Sequence, residues 1–310
     1  MRGGAVGNRP LSPPRPRDPA DERVGLLEIL ASDPRTWPLP QKQTRWTLAA
    51  LQRAAPTYSQ YSLSGIWRIL AGHTLRWRRG RDHLRSPDPD YRAKLAHLAA
   101  LCTEVEARPA DAGLLYLNEV TYYRQPSLSS GYAAVSSDRP RAERSTRSNA
   151  ATRVVAALDA RTGQVTSRQA RQIGIRELVR FYQTLADTYP GRRLYVVQDN
   201  WPIHTHPDVL AALQPQESPF PFLRPRSWPT EASPQAKRLD LPVQLVLLPT
   251  YAPWTNPIEK LWRWLKQDVL HLHPHADDLL ALRALVLDFL RSFEKGSLDL
   301  LHYVGLPPPT

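Results

Sequence analysis

The sequence contains few of the features that mark a secreted or membrane protein. Cysteine occurs once in 310 residues, at Cys102, which excludes an internal disulfide and a cysteine-based zinc module and suits a reducing compartment. No run of about 18 apolar residues is present. The first 24 residues also lack the apolar segment of a signal peptide. The sequence therefore predicts a cytoplasmic protein without a membrane partner.

Acidic residues are scarce relative to basic ones, and the imbalance is local. Asp and Glu number 29 against 41 Lys and Arg, for a net charge of +12. Residues 35–94 carry 12 bases and three acids, and they interleave arginine with Trp46, Trp67 and Trp77. A dense basic segment with aromatic residues is typical of a polyanion-binding surface. It predicts double-stranded DNA as a partner, with a solvated basic surface as the alternative.

The N-terminal third divides into a tail, a helical segment and a linker. Proline and arginine with few apolar residues predict a disordered tail over 1–34. Two helices, 44–54 and 62–72, predict a helix-turn-helix-like DNA-binding segment within 35–85, and a helical packing domain is the alternative. One buried face of the second helix is predicted from four apolar residues, Leu63, Ile66, Trp67 and Leu70. The expected DNA-binding arginines are Arg68, Arg76, Arg78, Arg79 and Arg81.

The rest of the chain alternates between short apolar runs and helical periods. A linker, SPDPDY, and a helix occupy 86–108. Strands are predicted at 114–118, near 131–136, and at 151–158, 164–167, 194–198 and 243–248. Helices are predicted at 174–189 and 206–213, from 256 onward, and at 277–294. This order predicts an α/β fold over 109–295, a mixed sheet with helices on both faces, with a Pro-rich insertion at 214–242 and a tail at 296–310.

Polar residues stand where three of these elements begin or end. Asn118 and Glu119 end a strand, Asp199 follows another, and Glu259 lies just inside a helix for which Asn256 is the expected N-cap. Open α/β sheets bind ligands at the carboxyl ends of their strands, and clustered carboxylates suit Mg²⁺. The alternatives are a capping box for Glu259 and plain turns at the other positions.

Two longer motifs carry a family resemblance. YVVQDNWPIH (195–204) and LVLLPTYAPWTNPIEKLWRWLK (245–266) place Asp199 and Glu259 60 residues apart. Together with LLYLNEVTYY (114–123), they resemble the catalytic core of DDE-type transposases, specifically the bacterial insertion-sequence relatives of the mariner transposases.

This resemblance implies a ribonuclease H-like fold, preceded by the small helical segment, in a nucleoid-associated DNA transposase. Such an enzyme binds transposon inverted repeats and target DNA as a homodimer and uses Mg²⁺ or Mn²⁺ for strand cleavage and transfer. Asp199, Glu259 and Asn118 would be metal ligands, with Asn118 in the position of the first acid, and Asn200 and His204 would line the site. Arg263 and Lys266 would contact phosphates.

One position departs from the family pattern. The family has Asp followed by Glu where this chain has Asn118 followed by Glu119. An amide removes a negative charge and cannot bridge two ions, so metal affinity and turnover are expected to fall. Glu119 would replace the lost acid only if the strand ended in a bulge or twist that turned it toward the site. A catalytically dead or domesticated DNA-binding derivative is therefore the main alternative, and a nuclease without strand transfer is a third.

Overall fold

A computed structural model describes residues 19–40, 42–78, 86–134 and 138–308, with the side chains of 19–23 left out. The chain divides into two compact units, residues 1–82 and 83–310. Among the described helices, none is long and apolar enough to cross a membrane.

The first unit is helical. Its described residues contain three α-helices, α1 (Pro19–Ala31), α2 (Leu48–Ala54) and α3 (Leu63–Gly72). The hydroxyls of Thr47 and Ser62 accept hydrogen bonds from the backbone N–H groups three residues later, and these caps define where α2 and α3 begin. Both predicted helices are present, and the first begins at Leu48 and not at the predicted residue 44.

Two expectations for the first unit are wrong. Part of the predicted tail, 19–31, forms α1, because Leu26 is fully buried against Trp46, Leu51 and Ile66. Residues 1–18 lie outside the described residues. The predicted apolar face of α3 is also incomplete, since Leu63 is 44% exposed and Trp67 59%.

The second unit contains a five-stranded sheet in the order β3-β2-β1-β4-β5. The strands are β1 (Ala112–Tyr123), β2 (Ala151–Asp159), β3 (Val165–Ala170), β4 (Arg193–Gln198) and β5 (Val243–Leu247). β1 pairs antiparallel with β2 and β2 antiparallel with β3, whereas β1, β4 and β5 run parallel. The carboxyl ends of β4 and β5 thus reach the same sheet edge, beside the middle of the longer β1.

Helices cover both faces of this sheet, which confirms the predicted α/β class. One face packs against α4 (Tyr91–Ala107), α7 (Ile258–Leu265), α8 (Leu279–Arg291) and α9 (Leu298–Val304). The other face packs against α5 (Ile175–Thr188) and the short α6 (Pro207–Leu210). Side chains alternate along β1, so Leu114 and Tyr116 join the first core, and Leu115 and Leu117 the second.

Several predictions for the second unit differ from the structure. The strand predicted at 114–118 spans Ala112–Tyr123, so Asn118 and Glu119 lie within β1 and do not end it. No strand forms near 131–136 among the described residues there, and α6 is shorter than the predicted 206–213. The expected tail at 296–310 contains α9, whose Leu300 and Leu301 are fully buried. Insertion 214–242 has no helix or strand, and a bridge between Leu213 and Leu241 brings its two ends together.

Candidate active site

Three predicted residues come together where β4 ends beside the middle of β1. Asn118 lies in β1, Asp199 directly follows β4, and Glu259 is the second residue of α7. Tyr116 pairs with Val197, so Asn118 and Asp199, each two residues further on, reach the same level of adjacent parallel strands. The Nδ2 group of Asn118 donates a hydrogen bond to Glu259 Oε1 at 2.7 Å. The predicted convergence at this edge is therefore present.

The amide of Asn118 has a defined orientation. Its Oδ1 accepts a hydrogen bond from the backbone N–H of Glu119 at 2.7 Å, which leaves the NH₂ group facing Glu259. Asn118 is 8% exposed, so water contributes little to these bonds. The residue consequently presents a donor, not a carbonyl oxygen, to the carboxylate of Glu259.

Asn256 holds the start of α7 against β1. Its Nδ2 donates to the carbonyl oxygen of Leu117 at 3.0 Å, and α7 begins at Ile258 with Pro257 at the N-cap position and no side-chain cap. The expected N-cap role of Asn256, and with it the capping box, is wrong. The bond to Leu117 instead places Glu259 opposite the next residue of the strand, Asn118.

Glu119 lies on the opposite face of the sheet, beside a buried histidine. His204 Nε2 is 3.7 Å from Glu119 Oε1 and 3.5 Å from Asp199 Oδ1, and His204 is fully buried. Pairing of β1 with β2 is continuous from Leu115 to Tyr123, so no bulge turns Glu119 toward Glu259. Burial raises the pKa of Glu119 to about 6, although His204 acts to lower it. Glu119 thus does not take the place of the missing acid next to Glu259.

Asp199 and Glu259 have different electrostatic environments. Partial desolvation acts to raise the pKa of Asp199, but contacts with His204 and the backbone N–H of Trp201 outweigh it, and the pKa is lowered. Burial raises the pKa of Glu259 against the opposing effects of Asn118 and Lys266. Tyr182 lies on the other side of the His204 ring from Asp199. Its hydroxyl donates to Gln198 Oε1 and lies 3.4 Å from His204 Nδ1.

The linker motif SPDPDY contacts the loop between β5 and α7. The sequence did not predict this contact. Asp88 accepts hydrogen bonds from Lys94 Nζ at 2.7 Å and from the Thr250 N–H at 2.8 Å. The Ser86 hydroxyl donates to the Thr250 carbonyl oxygen at 2.6 Å. These bonds hold the loop between β5 and α7. The polar, Pro-rich SPDPDY motif was the available signal, but its partner is more than 160 residues away.

The other predicted residues occupy supporting or exposed positions. Asn200 donates to the Leu248 carbonyl oxygen at 2.6 Å and joins the ends of β4 and β5. Arg263 and Lys266 are exposed at the end of α7. In the first unit, Arg68, Arg76 and Arg78 are exposed, whereas Arg79 and Arg81 lie outside the described residues.

An exposed arginine–tryptophan pair accompanies the arginines of the first unit. Trp77 is 70% exposed, and the guanidinium of Arg45 lies 5.5 Å from the centre of its ring. The pair places a cation and a planar ring on the surface of the most basic part of the chain.

The donor groups at the sheet edge do not fit the two-metal site that the resemblance implies. Asp199 and Glu259 supply carboxylates, but the third position presents the NH₂ group of Asn118. Among the described residues, no group of three or more His, Cys, Asp and Glu side chains has an arrangement that could hold a metal ion. The geometry supplies two acids, an amide donor and a buried histidine.

A mixed sheet in this order, with acidic residues at the shared carboxyl edge, defines a ribonuclease H-like α/β protein. The family model of DDE superfamily endonucleases matches residues 114–282, more than half of the chain. The chain belongs to this family, which confirms the resemblance found in its motifs. No curated protein matches the sequence.

Solved structures of Mos1 transposase have a similar fold. The paired-end complex with the left transposon end has a TM-score of 0.57 at 11% identity, covering 97% of this chain and 78% of that one. The mariner Mos1 paired-end complex with Mg has a TM-score of 0.59 at 12% identity, over 98% and 80%. The complex with Mn has a TM-score of 0.57 at 13% identity, over 97% and 78%. At these identities the likeness concerns the fold.

Proposed function

We propose that this protein is a DDE-type DNA transposase whose strand-cleavage activity is strongly reduced by Asn118. The observation that carries the proposal is the meeting of Asp199, Glu259 and Asn118 at one sheet edge, within a chain of the DDE endonuclease family. The substrates would be transposon inverted repeats and target DNA. The solved Mos1 complexes contain a transposon end in one case and Mn or Mg in others, which supports DNA and a divalent ion as partners of the fold.

The first unit would capture double-stranded DNA. Arg68 on α3 and Arg76 and Arg78 beyond it are exposed, and Trp77 lies next to the guanidinium of Arg45. Arginine neutralises phosphates and also stacks on planar rings, so this surface suits a duplex. Arg263 and Lys266 would add phosphate contacts near Glu259. Binding as a homodimer is part of the proposal.

The two acids at the sheet edge would contribute unequally to cleavage of the scissile strand. Asp199 has a lowered pKa and stays ionised at neutral pH, whereas Glu259 is held by the Asn118 amide. His204 would support Asp199 through the 3.5 Å contact between its Nε2 and Asp199 Oδ1. Glu119 would support it indirectly, because its Oε1 lies 3.7 Å from the same nitrogen. Mg²⁺ or Mn²⁺ is the expected cofactor of the family. In this chain the amide removes one ligand charge, which is the reason for the reduced activity.

The test is cleavage of DNA carrying the inverted repeats that flank the gene, with Mg²⁺ or Mn²⁺ present. We expect little cleavage by the natural chain and about 100-fold more by Asn118→Asp, because the first acid is restored. Asn118→Ala is the matched control, since it removes the amide without adding a charge. Asn118→Asp combined with Asp199→Ala should be inactive.

A DNA-binding derivative without cleavage is the second candidate. The hydrogen bond from Asn118 to Glu259 favours it, because that bond occupies a carboxylate that the reaction needs. DNA binding without cleavage by either the natural chain or Asn118→Asp would support this candidate. Equal cleavage by both chains would contradict the reduced activity proposed above, and nicking without joining would indicate a nuclease without strand transfer.

A further inference from the structure

A cavity with aromatic walls lies next to the candidate active site. It has a volume of about 400 Å³, within the range of about 300–1,000 Å³ that is common for ligand sites. Its walls come from the start of α5, from the turn after β4 and from insertion 214–242. The lining residues used below are Ile175, Trp201, Pro202, His206, Pro225 and Trp228.

The aromatic walls are held in place by defined contacts. The His206 ring packs edge-on against the Trp228 indole, with ring centres 4.8 Å apart. The backbone N–H of Trp228 donates to the Pro225 carbonyl oxygen, and this hydrogen bond closes a turn. The insertion is fastened where Asp208 accepts hydrogen bonds from the Ser233 N–H and hydroxyl at 2.7 and 2.9 Å. The insertion is therefore part of a preformed cavity wall.

The cavity is connected directly to Asp199. The Trp201 N–H donates to Asp199 Oδ1 at 2.9 Å, and the Asp199 side chain is 56% exposed. Trp201 thus lies two residues from the carboxylate while its side chain lines the cavity. A nucleotide beside Asp199 would therefore also lie beside a wall of the cavity.

Charges near the cavity suit a nucleotide better than a purely apolar ligand. Arg176 and Arg226 are exposed, and each directly follows a lining residue, Ile175 or Pro225, in the sequence. The nearby acid Glu177 is paired with Arg168 and Arg180, both at 3.0 Å. An aromatic cavity with adjacent arginines provides stacking for a base and positive charge for its phosphate.

We propose that this cavity binds an unstacked nucleobase of the DNA strand that lies at the candidate active site. Stacking on aromatic side chains tolerates every base and offsets the cost of taking a base out of a duplex. The proposal deepens the proposed function and rests on it, because it names the part of the substrate that the insertion would contact.

The test uses 2′-deoxyadenosine 5′-monophosphate and, as the probe without a base, 2-deoxyribose 5-phosphate. Ligand-observed NMR titration of the full chain should show binding of the nucleotide and at least about tenfold weaker binding of the sugar phosphate. Trp228→Ala should weaken nucleotide binding about tenfold, and Trp228→Phe should weaken it less because the ring can still stack. Leu223→Ala is the matched control. Leu223 is 72% exposed in the same insertion and lies outside the cavity lining.

Thermal midpoints of the variants distinguish a loss of binding from a loss of folding. If Trp228→Ala is unstable, Trp228→Phe is used for the same comparison. Equal binding of nucleotide and sugar phosphate, no binding of either, or no effect of Trp228→Ala would overturn the proposal. Tighter binding of N-acetyltryptophanamide than of the nucleotide would also overturn it and indicate a protein side chain as the ligand. Duplex binding is measured separately, so nucleotide binding without duplex binding would contradict the proposed function while still showing that the cavity binds a nucleotide.

Discussion

Asn118 and Glu259 share a hydrogen bond that a carboxylate at position 118 could not make. The two polar atoms are 2.7 Å apart, and Asn118 is nearly buried. Two ionised carboxylates at that distance repel each other unless a proton or a cation lies between them. The amide therefore stabilises this sheet edge in a way that does not depend on a metal ion.

Replacing Asn118 by Asp should make the stability of the second unit depend on divalent ions. In the presence of a chelator we expect Asn118→Asp to lose at least about 2 kcal/mol, because a hydrogen bond is lost and a like charge is added. Saturating Mn²⁺ should restore most of this loss, since a ligand that binds only the folded state stabilises it. Thermal unfolding with and without Mn²⁺ measures both effects.

Asn118→Ala is the control for that experiment. It removes the hydrogen bond without adding a charge, so it should lose about 1 kcal/mol and gain little from Mn²⁺. An equal rise in the thermal midpoint of the natural chain and Asn118→Asp on adding Mn²⁺ would contradict the role given to the amide.

At the scale of elements, the turn between β2 and β3 is held by the C-terminal helix. Gly163 has a positive φ of 70°, and a Cβ atom there would lie 2.2 Å from the carbonyl oxygen of Ser297, which caps α9. The Ser297 N–H in turn donates to the Thr162 carbonyl oxygen at 2.9 Å. The C-terminal segment is thus part of the fold and not a tail.

Gly163→Ala should destabilise the second unit by about 3 kcal/mol, because it adds a clash with α9 to the strain of a positive φ. Gly191→Ala is the control. Gly191 has a φ of 74° but nothing within 4 Å of the added atom, so the expected loss is about 1 kcal/mol of strain alone. Equal losses in chemical denaturation would show that the contact with α9 does not constrain the turn.

The linker preceding α4 carries a pH-dependent contribution to stability. Asp88 and Lys94 form a nearly buried ion pair, with side-chain exposures of 4% and 9%. Burial opposes ionisation of Asp88, but the hydrogen bonds from Lys94 and from the Thr250 and Asp90 N–H groups outweigh it and lower its pKa to about 2. The pKa is below its unfolded value of 3.8, so the contribution is present above pH 3.8 and is lost as the pH falls through 2.

Asp88→Asn should remove this pH dependence. The shift corresponds to about 2 kcal/mol, and the natural chain should lose that much more stability than Asp88→Asn between about pH 4 and pH 2. At neutral pH the variant should be less stable by about 3 kcal/mol, because Lys94 is left buried without its partner. Urea unfolding at several pH values measures both. Parallel stability curves for the two proteins would contradict the assignment to Asp88.

At the scale of the whole molecule, the basic segment and the candidate catalytic acids lie in different parts of the chain. Residues 35–94 hold nine of the twelve net positive charges, whereas Asp199 and Glu259 belong to a nearly neutral region. We therefore expect affinity for duplex DNA to depend on the first unit and to fall steeply as salt rises, because binding releases counterions.

Arg68→Ala and Arg76→Ala should each reduce the slope of log affinity against log salt by about one. Arg291→Ala is the control, since Arg291 lies in the second unit beside Asp288 and should leave the slope unchanged. Fluorescence anisotropy with a labelled duplex between about 50 and 200 mM salt provides the measurement. A flat salt dependence in the full chain would contradict the predicted DNA-binding role of the basic segment.

Elements with strong periodicity were predictable from sequence, and short ones were not. α5 was expected at 174–189 and spans Ile175–Thr188, because its apolar face repeats with the helical period. α9 has seven residues in a segment that ends in prolines, and its helix depends on the burial of Leu300 and Leu301. α1 was missed for the same reason, since one buried leucine among charged residues produces no visible period.

The sequence by itself determined where the charge lies, the α/β alternation, and the positions of Asp199 directly after a strand and Glu259 near the start of a helix. These properties depend on residue type and local spacing. Only the tertiary structure decided that the NH₂ group of Asn118 faces Glu259, that Asn256 bonds to β1 in place of capping α7, and that Glu119 meets His204 on the other face. Each of these depends on a partner distant in the chain or on another element, and local patterns do not specify how side chains from separate elements pair once they are buried.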